Sequence, residues 1–137
     1  MIPFKVKQLD HVVLRVQDIQ RSLAFYSETL GCDVAKRRDD LGMIHLRAGT
    51  SMIDLVDVAG PLGQQAGGAA DPEHRNLDHF CLRITPFIEA DILTHLRNHG
   101  VRADKAAKRY GAEGEGPSLY CFDPDGNQVE LKGPPEA

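Results

Sequence analysis

Two histidines stand at the same place in two copies of one short phrase. His11 lies in LDHVVLRV, residues 9–16, and His79 in LDHFCLRI, residues 77–84, with five of eight letters identical. Each copy is followed, late in its half of the chain, by a carboxylate: Asp54 in SMIDLVD and Glu130 in NQVELKG. Two imidazoles and two carboxylates suit a divalent Zn, Ni, Co, Mn or Fe ion without choosing among them. A carboxylate beside a bound substrate can also act as a general base. The competing reading is a pair of structural histidines that hydrogen-bond carboxylates on neighbouring strands.

Alternation places these side chains. In residues 7–16, His11, Val13 and Arg15 share one strand face and Val12, Leu14 and Val16 the other. Asp54 falls with Met52 and Val56, and Glu130 with Gln128 and Lys132, while Ile53, Leu55, Val129 and Leu131 take the opposite faces. Asp10 and Asp78 recur beside the histidines but fall on the other face, which suggests strand-end or surface roles.

The elements repeat as the phrase does. After the first strand, Asp18 reads as an N-cap, IQRSLAFYSETL as a helix and Gly31 as its C′ glycine. Strands are expected at 32–37, 43–47 and 51–58. Residues 59–75, rich in Gly, Ala and Pro, read as a mobile linker or loop. In the second half Thr85 reads as an N-cap with Pro86 in the first turn. FIEADILTHLRNH reads as a helix closed by Gly100, with strands at 101–104, 118–122 and 128–132 and the turn DPDGN between the last two. Both halves thus read β-α-β-β-β. A duplication of this kind suggests two modules, 5–58 and 76–133, paired about a pseudo-twofold axis in one domain, 1–137.

Composition sets limits. A chain of 137 residues is long enough to bury a core. Its net charge of −4 leaves no basic footprint, so no nucleic-acid partner is expected. No apolar run approaches the roughly 20 residues that span a bilayer, and the N-terminus has no secretory apolar stretch. Three cysteines, none in a CxxC pair, favour a reducing compartment, so a cytoplasmic protein without membrane attachment is expected.

From Leu9 to Lys132 the chain resembles the vicinal oxygen chelate superfamily. The motifs that carry the resemblance are LDHVVLRVQDIQRSLAFYSETLG, LDHFCLRI and GPSLYCFDPDGNQVELKG. Its members include glyoxalase I, extradiol dioxygenases, fosfomycin-resistance enzymes and metal-free bleomycin-binding proteins. The small glyoxalase I-like and fosfomycin-resistance-like members are the most similar. The resemblance implies an α+β fold, two βαβββ modules forming a curved, barrel-like sheet around one divalent metal ion. His11, His79 and Glu130 match three metal-ligand positions. Asp54 falls where glyoxalase I supplies a glutamate, one methylene longer, and is the expected fourth ligand.

The implied activity is that of a glyoxalase I-like lyase or isomerase, acting on a small molecule through a metal-chelated enediolate with Glu130 as the base. The alternatives are an Fe(II) extradiol-type dioxygenase, a fosfomycin-resistance-type enzyme and a non-catalytic, bleomycin-type binding protein. Arg15 matches a glyoxalase I arginine that contacts a carboxylate of the glutathione moiety; its competing role is an ion pair at the sheet rim. Residues 105–117, basic and then glycine-rich, match no P-loop. They resemble a substrate-covering loop, with Lys108, Arg109 and Tyr110 as candidate contacts to an anionic substrate. The family pattern also implies a homodimer. His95 and His99 suit a helix C-terminus, His45 and His74 stand isolated, and Cys81 needs no role beyond packing.

Overall fold

The structure is a computed structural model that describes residues 1–3, 5–65 and 77–136. The chain divides into two compact units, Met1–Ala69 and Ala70–Ala137. The two are α+β modules of the same design.

In the first unit, β1 (His11–Val16) leads into α1 (Ile19–Leu23), which continues as a π-helical turn over Ala24–Thr29. Then come β2 (Asp33–Arg38), β3 (Met43–Ala48), β4 (Ser51–Asp57) and the short α2 (Pro61–Gln65). Asp18 caps α1 by accepting from the backbone N–H groups of Gln20 and Arg21 at 3.1 Å, and Gly31 leaves the helical segment at φ +80°. The sheet order is β1-β4-β3-β2, with β1 parallel to β4 and the other pairs antiparallel. Leu14, Val16, Ile44, Leu46, Ile53 and Leu55 are buried on one face. Phe25 and Tyr26 of the helical segment, in edge-to-face contact, are buried as well.

The second unit repeats the order: β5 (Phe80–Arg83), α3 (Glu89–Asn98), β6 (Ala107–Gly111), β7 (Gly114–Phe122) and β8 (Gln128–Lys132). Its sheet runs β5-β8-β7-β6, again with only the first pair parallel. Leu119, Cys121, Val129 and Leu131 are buried on one face, as is Leu96 of α3. Asp123 organises the turn between β7 and β8, accepting from the N–H groups of Asp125 and Asn127 and from the Asn127 side chain at 2.8–2.9 Å.

Several expectations require correction. Thr85 does not cap a helix: the Thr85–Pro86 bond is cis, and α3 begins at Glu89 behind Ile88, with Glu89 and Asp91 supplying acidic groups in its first turn. Residues 101–104 form no strand but touch β7 at a single bridge, Ala103 to Cys121, because β6 takes β7's free edge. The glycine-rich segment is not an irregular loop. It is the β6–β7 hairpin, which closes between the paired Gly111 and Gly114. The linker reading for 59–75 missed α2, and from residue 66 onward it lies outside the described residues, as does His74. No helix among the described residues is long and apolar enough to cross a membrane.

Candidate functional site

Each module carries its functional groups on the sheet face opposite its buried apolar face. In the first, the parallel β1–β4 register pairs Val13 with Asp54, with His11 two residues earlier on the same face. In the second, Cys81 pairs with Glu130, and His79 stands two residues before Cys81. Asp54 and Glu130 are therefore the same position of the duplicated sheet, although 43 residues separate His11 from Asp54 and 51 separate His79 from Glu130.

The neighbouring strand completes each cluster. His45 pairs with Asp54 across β3 and β4, and its Nδ1 lies 2.9 Å from Asp54 Oδ1. At the equivalent place Tyr120 pairs with Glu130 across β7 and β8. Its ring meets that of His79 edge-on at 5.4 Å between centroids. The Tyr120 hydroxyl is held above its ordinary pKa, first by burial and then by the Glu130 charge and its hydrogen bond. Asp54 and Glu130 are both buried, at 4% and 5% exposure, where a carboxylate needs partners.

Asp10 and Asp78 have a role that alternation did not suggest. Each takes the Nδ1–H of the next histidine, Asp10 from His11 at 2.8 Å and Asp78 from His79 at 2.7 Å. The bond to Asp10 raises the His11 pKa; burial opposes this and the Asp54 charge adds to it. Fixing Nδ1 in this way presents Nε2 as the ligating atom, the usual outer partnership of a metal-binding histidine. His79 Nε2 lies 3.1 Å from Glu130 Oε1. Two ligand atoms about 2.1 Å from an ion, at right angles to it, stand about 3.0 Å apart, so this pair has the spacing of adjacent ligands as well as that of a hydrogen bond. Donor types and orientation therefore fit a divalent ion. Among the described residues no three or more His, Cys, Asp and Glu side chains gather as a metal-holding cluster.

The expected substrate contacts fare differently from one another. Arg15 is part-buried and donates from Nη2 to the Gly63 carbonyl of α2 at 3.0 Å, so α2 takes part of its hydrogen-bonding capacity. Arg109 lies on the Glu130 face of its sheet. Its Nη1 donates to the carbonyl and hydroxyl oxygens of Ser118, and its guanidinium covers the Tyr120 ring at 4.4 Å. Lys108 and Tyr110 alternate onto the other face, where Tyr110 is exposed and Lys108 pairs with Glu115 and Glu136.

The chain belongs to the Glyoxalase/Bleomycin resistance protein/Dioxygenase superfamily, whose family profile matches residues 8–131. It is 31% identical over 131 residues to the glyoxalase domain-containing protein RDO1 of Mycosarcoma maydis, covering 92% of this chain and 68% of that one. It is 26% identical to the glutathione transferase FosA of Serratia marcescens, covering 92% and 80%. Among solved structures it resembles the integron cassette protein VPC_CASS1 from the mobile metagenome of V. Pseudocholerae. That likeness has TM-score 0.77 and 28% identity and covers 96% of this chain and 98% of the other.

Proposed function

We propose that the chain is a divalent-metal-dependent enzyme of this superfamily, a glyoxalase I-like lyase or isomerase acting on a small molecule. His11, Asp54, His79 and Glu130 are its metal ligands and Glu130 its general base. The observation that carries this reading is the repeated register, a histidine two residues before the strand partner of a buried carboxylate in both modules. Duplicated placement on polar faces is unexpected of histidines kept only for packing. The bound ion would supply Lewis acidity to neighbouring substrate oxygens and stabilise negative charge that develops on them.

The chain's own residues do the rest. Asp10 and Asp78 hold the imidazoles in one orientation. Glu130 takes a proton at its second carboxylate oxygen, Oε2, from the carbon beside a substrate carbonyl and returns it to the adjacent carbon. Tyr120 and His79 position the carboxylate, and His45 holds Asp54. Arg109, which shares Glu130's face, binds the substrate, whereas Tyr110, on the other face, is set aside. A cytoplasmic homodimer, with residues 1–137 as one domain, completes the reading.

The test is metal analysis of protein purified without chelators, followed by hemithioacetal isomerisation with Ni, Zn, Co, Mn and Fe forms and several thiols. A stoichiometric ion that is lost in His11→Ala and His79→Ala, with turnover that is lost in Glu130→Gln, is expected. A metal-loaded protein without turnover ends the lyase version. A second reading, thiol transfer, is favoured by the likeness to a glutathione transferase, and consumption of an epoxide and a thiol together would select it. Fe(II)-dependent oxygen uptake would select a dioxygenase, and metal-free ligand binding a bleomycin-type protein.

A further inference from the structure

We infer that the Glu130 face of the second module contains an oxyanion subsite centred on Lys132, with Arg109 beside it. The proposed function assigns no role to Lys132. It is 5% exposed, and among the described residues no carboxylate oxygen lies within 4.0 Å of its ammonium. Lysines are almost never buried this far without a partner.

The fold does not require a charge at this position. Lys132 pairs with Arg83 on one side and Ser118 on the other. In the first module the corresponding residue, between Arg15 and Met43, is Val56, also buried. The same strand site thus accepts a valine in one copy and buries a lysine in the other. Its neighbours make room for it. A Cβ on Gly111 would come within 2.8 Å of Lys132 Cε, and one on Gly116 within 3.2 Å of Nζ. The side chain therefore crosses β7 as far as Gly111 of β6 and brings its ammonium beside Gly116 of β7.

Gly116 is the cross-strand partner of Arg109. A guanidinium and the ammonium of a largely buried side chain therefore come to adjoining positions of one face, and like charges so placed repel. The nearby Arg83 is already committed, donating to Glu113 at 2.8 Å. An oxyanion would offset the repulsion, accepting from the ammonium and from Arg109 N–H groups not used on Ser118. Glu130 is two residues from Lys132, roughly 6.5 Å along the strand. Taken with the proposed function, on which this last step alone rests, the substrate is an anion whose charged group lies a few bonds from the carbon that loses its proton.

The rival account is a lysine whose stem packs over the glycines while its head reaches water. Calorimetric titration of the full chain with inorganic phosphate, and separately with acetate, distinguishes the two. Saturable one-site phosphate binding is expected, weakened at least tenfold in Lys132→Met and largely restored in Lys132→Arg. Stronger Lys132-dependent binding of acetate would also support the subsite and identify its ligand as a carboxylate. Unsaturable binding to the wild type, or unchanged affinity in Lys132→Met, overturns it. If Lys132→Met does not fold, Arg109→Gln serves instead, with at least a fivefold loss expected and unchanged affinity refuting the subsite. Metal content is measured on the same samples: Lys132-dependent phosphate binding by protein that holds no metal would refute the metal-enzyme reading and leave the subsite standing.

Discussion

His45 and Asp54 face each other across β3 and β4, with Nδ1 and Oδ1 2.9 Å apart and the aspartate side chain 6% exposed. A carboxylate at that depth depends on its neighbours, and the imidazole lies close against it although Oδ1 accepts no well-aligned hydrogen bond. Truncating one partner leaves the other underserved, so His45→Ala and Asp54→Ala should each cost about 1–3 kcal/mol of stability. The double variant should cost less than the sum of the two. Urea unfolding of the four proteins gives the coupling directly, and strictly additive losses would show that the contact is incidental.

The two outer aspartates lead to a different expectation, because they are exposed, with side chains at 87% and 89%. Exposed pairs of this kind contribute little to folding. Their proposed work is to hold His11 and His79 for ligation. Asp10→Asn and Asp78→Asn should therefore leave the melting temperature nearly unchanged while weakening divalent-metal affinity about 10–100-fold. Competition against a chromophoric chelator measures this. A large drop in stability with unaltered affinity would reverse the assignment.

Asp123 does the opposite kind of work. It is 5% exposed and accepts three hydrogen bonds within its own turn, which sets the β7–β8 register that aligns Tyr120 with Glu130. Asp123→Ala leaves three part-buried donors without their acceptor and should destabilise the protein by about 1–3 kcal/mol. Because register is affected, the Tyr120 phenol, raised first by burial and then by the Glu130 charge, should move back toward its ordinary pKa in an absorbance titration. A stable variant with an unmoved tyrosine would show that the turn is dispensable.

Much of this design was legible in the sequence because strand alternation is local. LDHVVLRV and SMIDLVD fix which side chains share a face, and duplication identified the histidine and carboxylate positions. His45 was missed because its partner depends on hairpin register. That register follows from Gly49–Thr50: a two-residue turn pairs Ala48 with Ser51 and so brings His45 to Asp54. The β6 strand was missed because glycines dominate its hairpin; Gly116, closely backed by the Pro134 carbonyl, is there to admit neighbours and does not mark a loop. The roles of Asp10 and Asp78 escaped because alternation describes where a Cβ points, while an aspartate at a strand end can turn its carboxylate to the adjacent imidazole. Lys132 was read only as a face-mate of Glu130, since burial of a charge is a tertiary property.

Cys81 can report the charges on that face. It reaches solvent, yet its thiol pKa is pushed up to about 11, first by burial and then by the Glu130 charge, with Lys132 pulling the other way. Only the thiolate is alkylated, so at pH 7.5 roughly one molecule in three thousand is reactive at this position. The alkylation rate should rise tenfold per pH unit until it levels near pH 11. Glu130→Gln removes a negative neighbour and should shift the profile to lower pH, whereas Lys132→Met removes a positive one and should shift it higher. Peptide-resolved mass spectrometry after timed iodoacetamide treatment separates Cys81 from Cys121, which is buried and held near 12. Shifts in the two expected directions would place both charges within electrostatic reach of one thiol. A profile indifferent to both variants would mean that burial alone sets the thiol and that neither charge acts at the β5 strand.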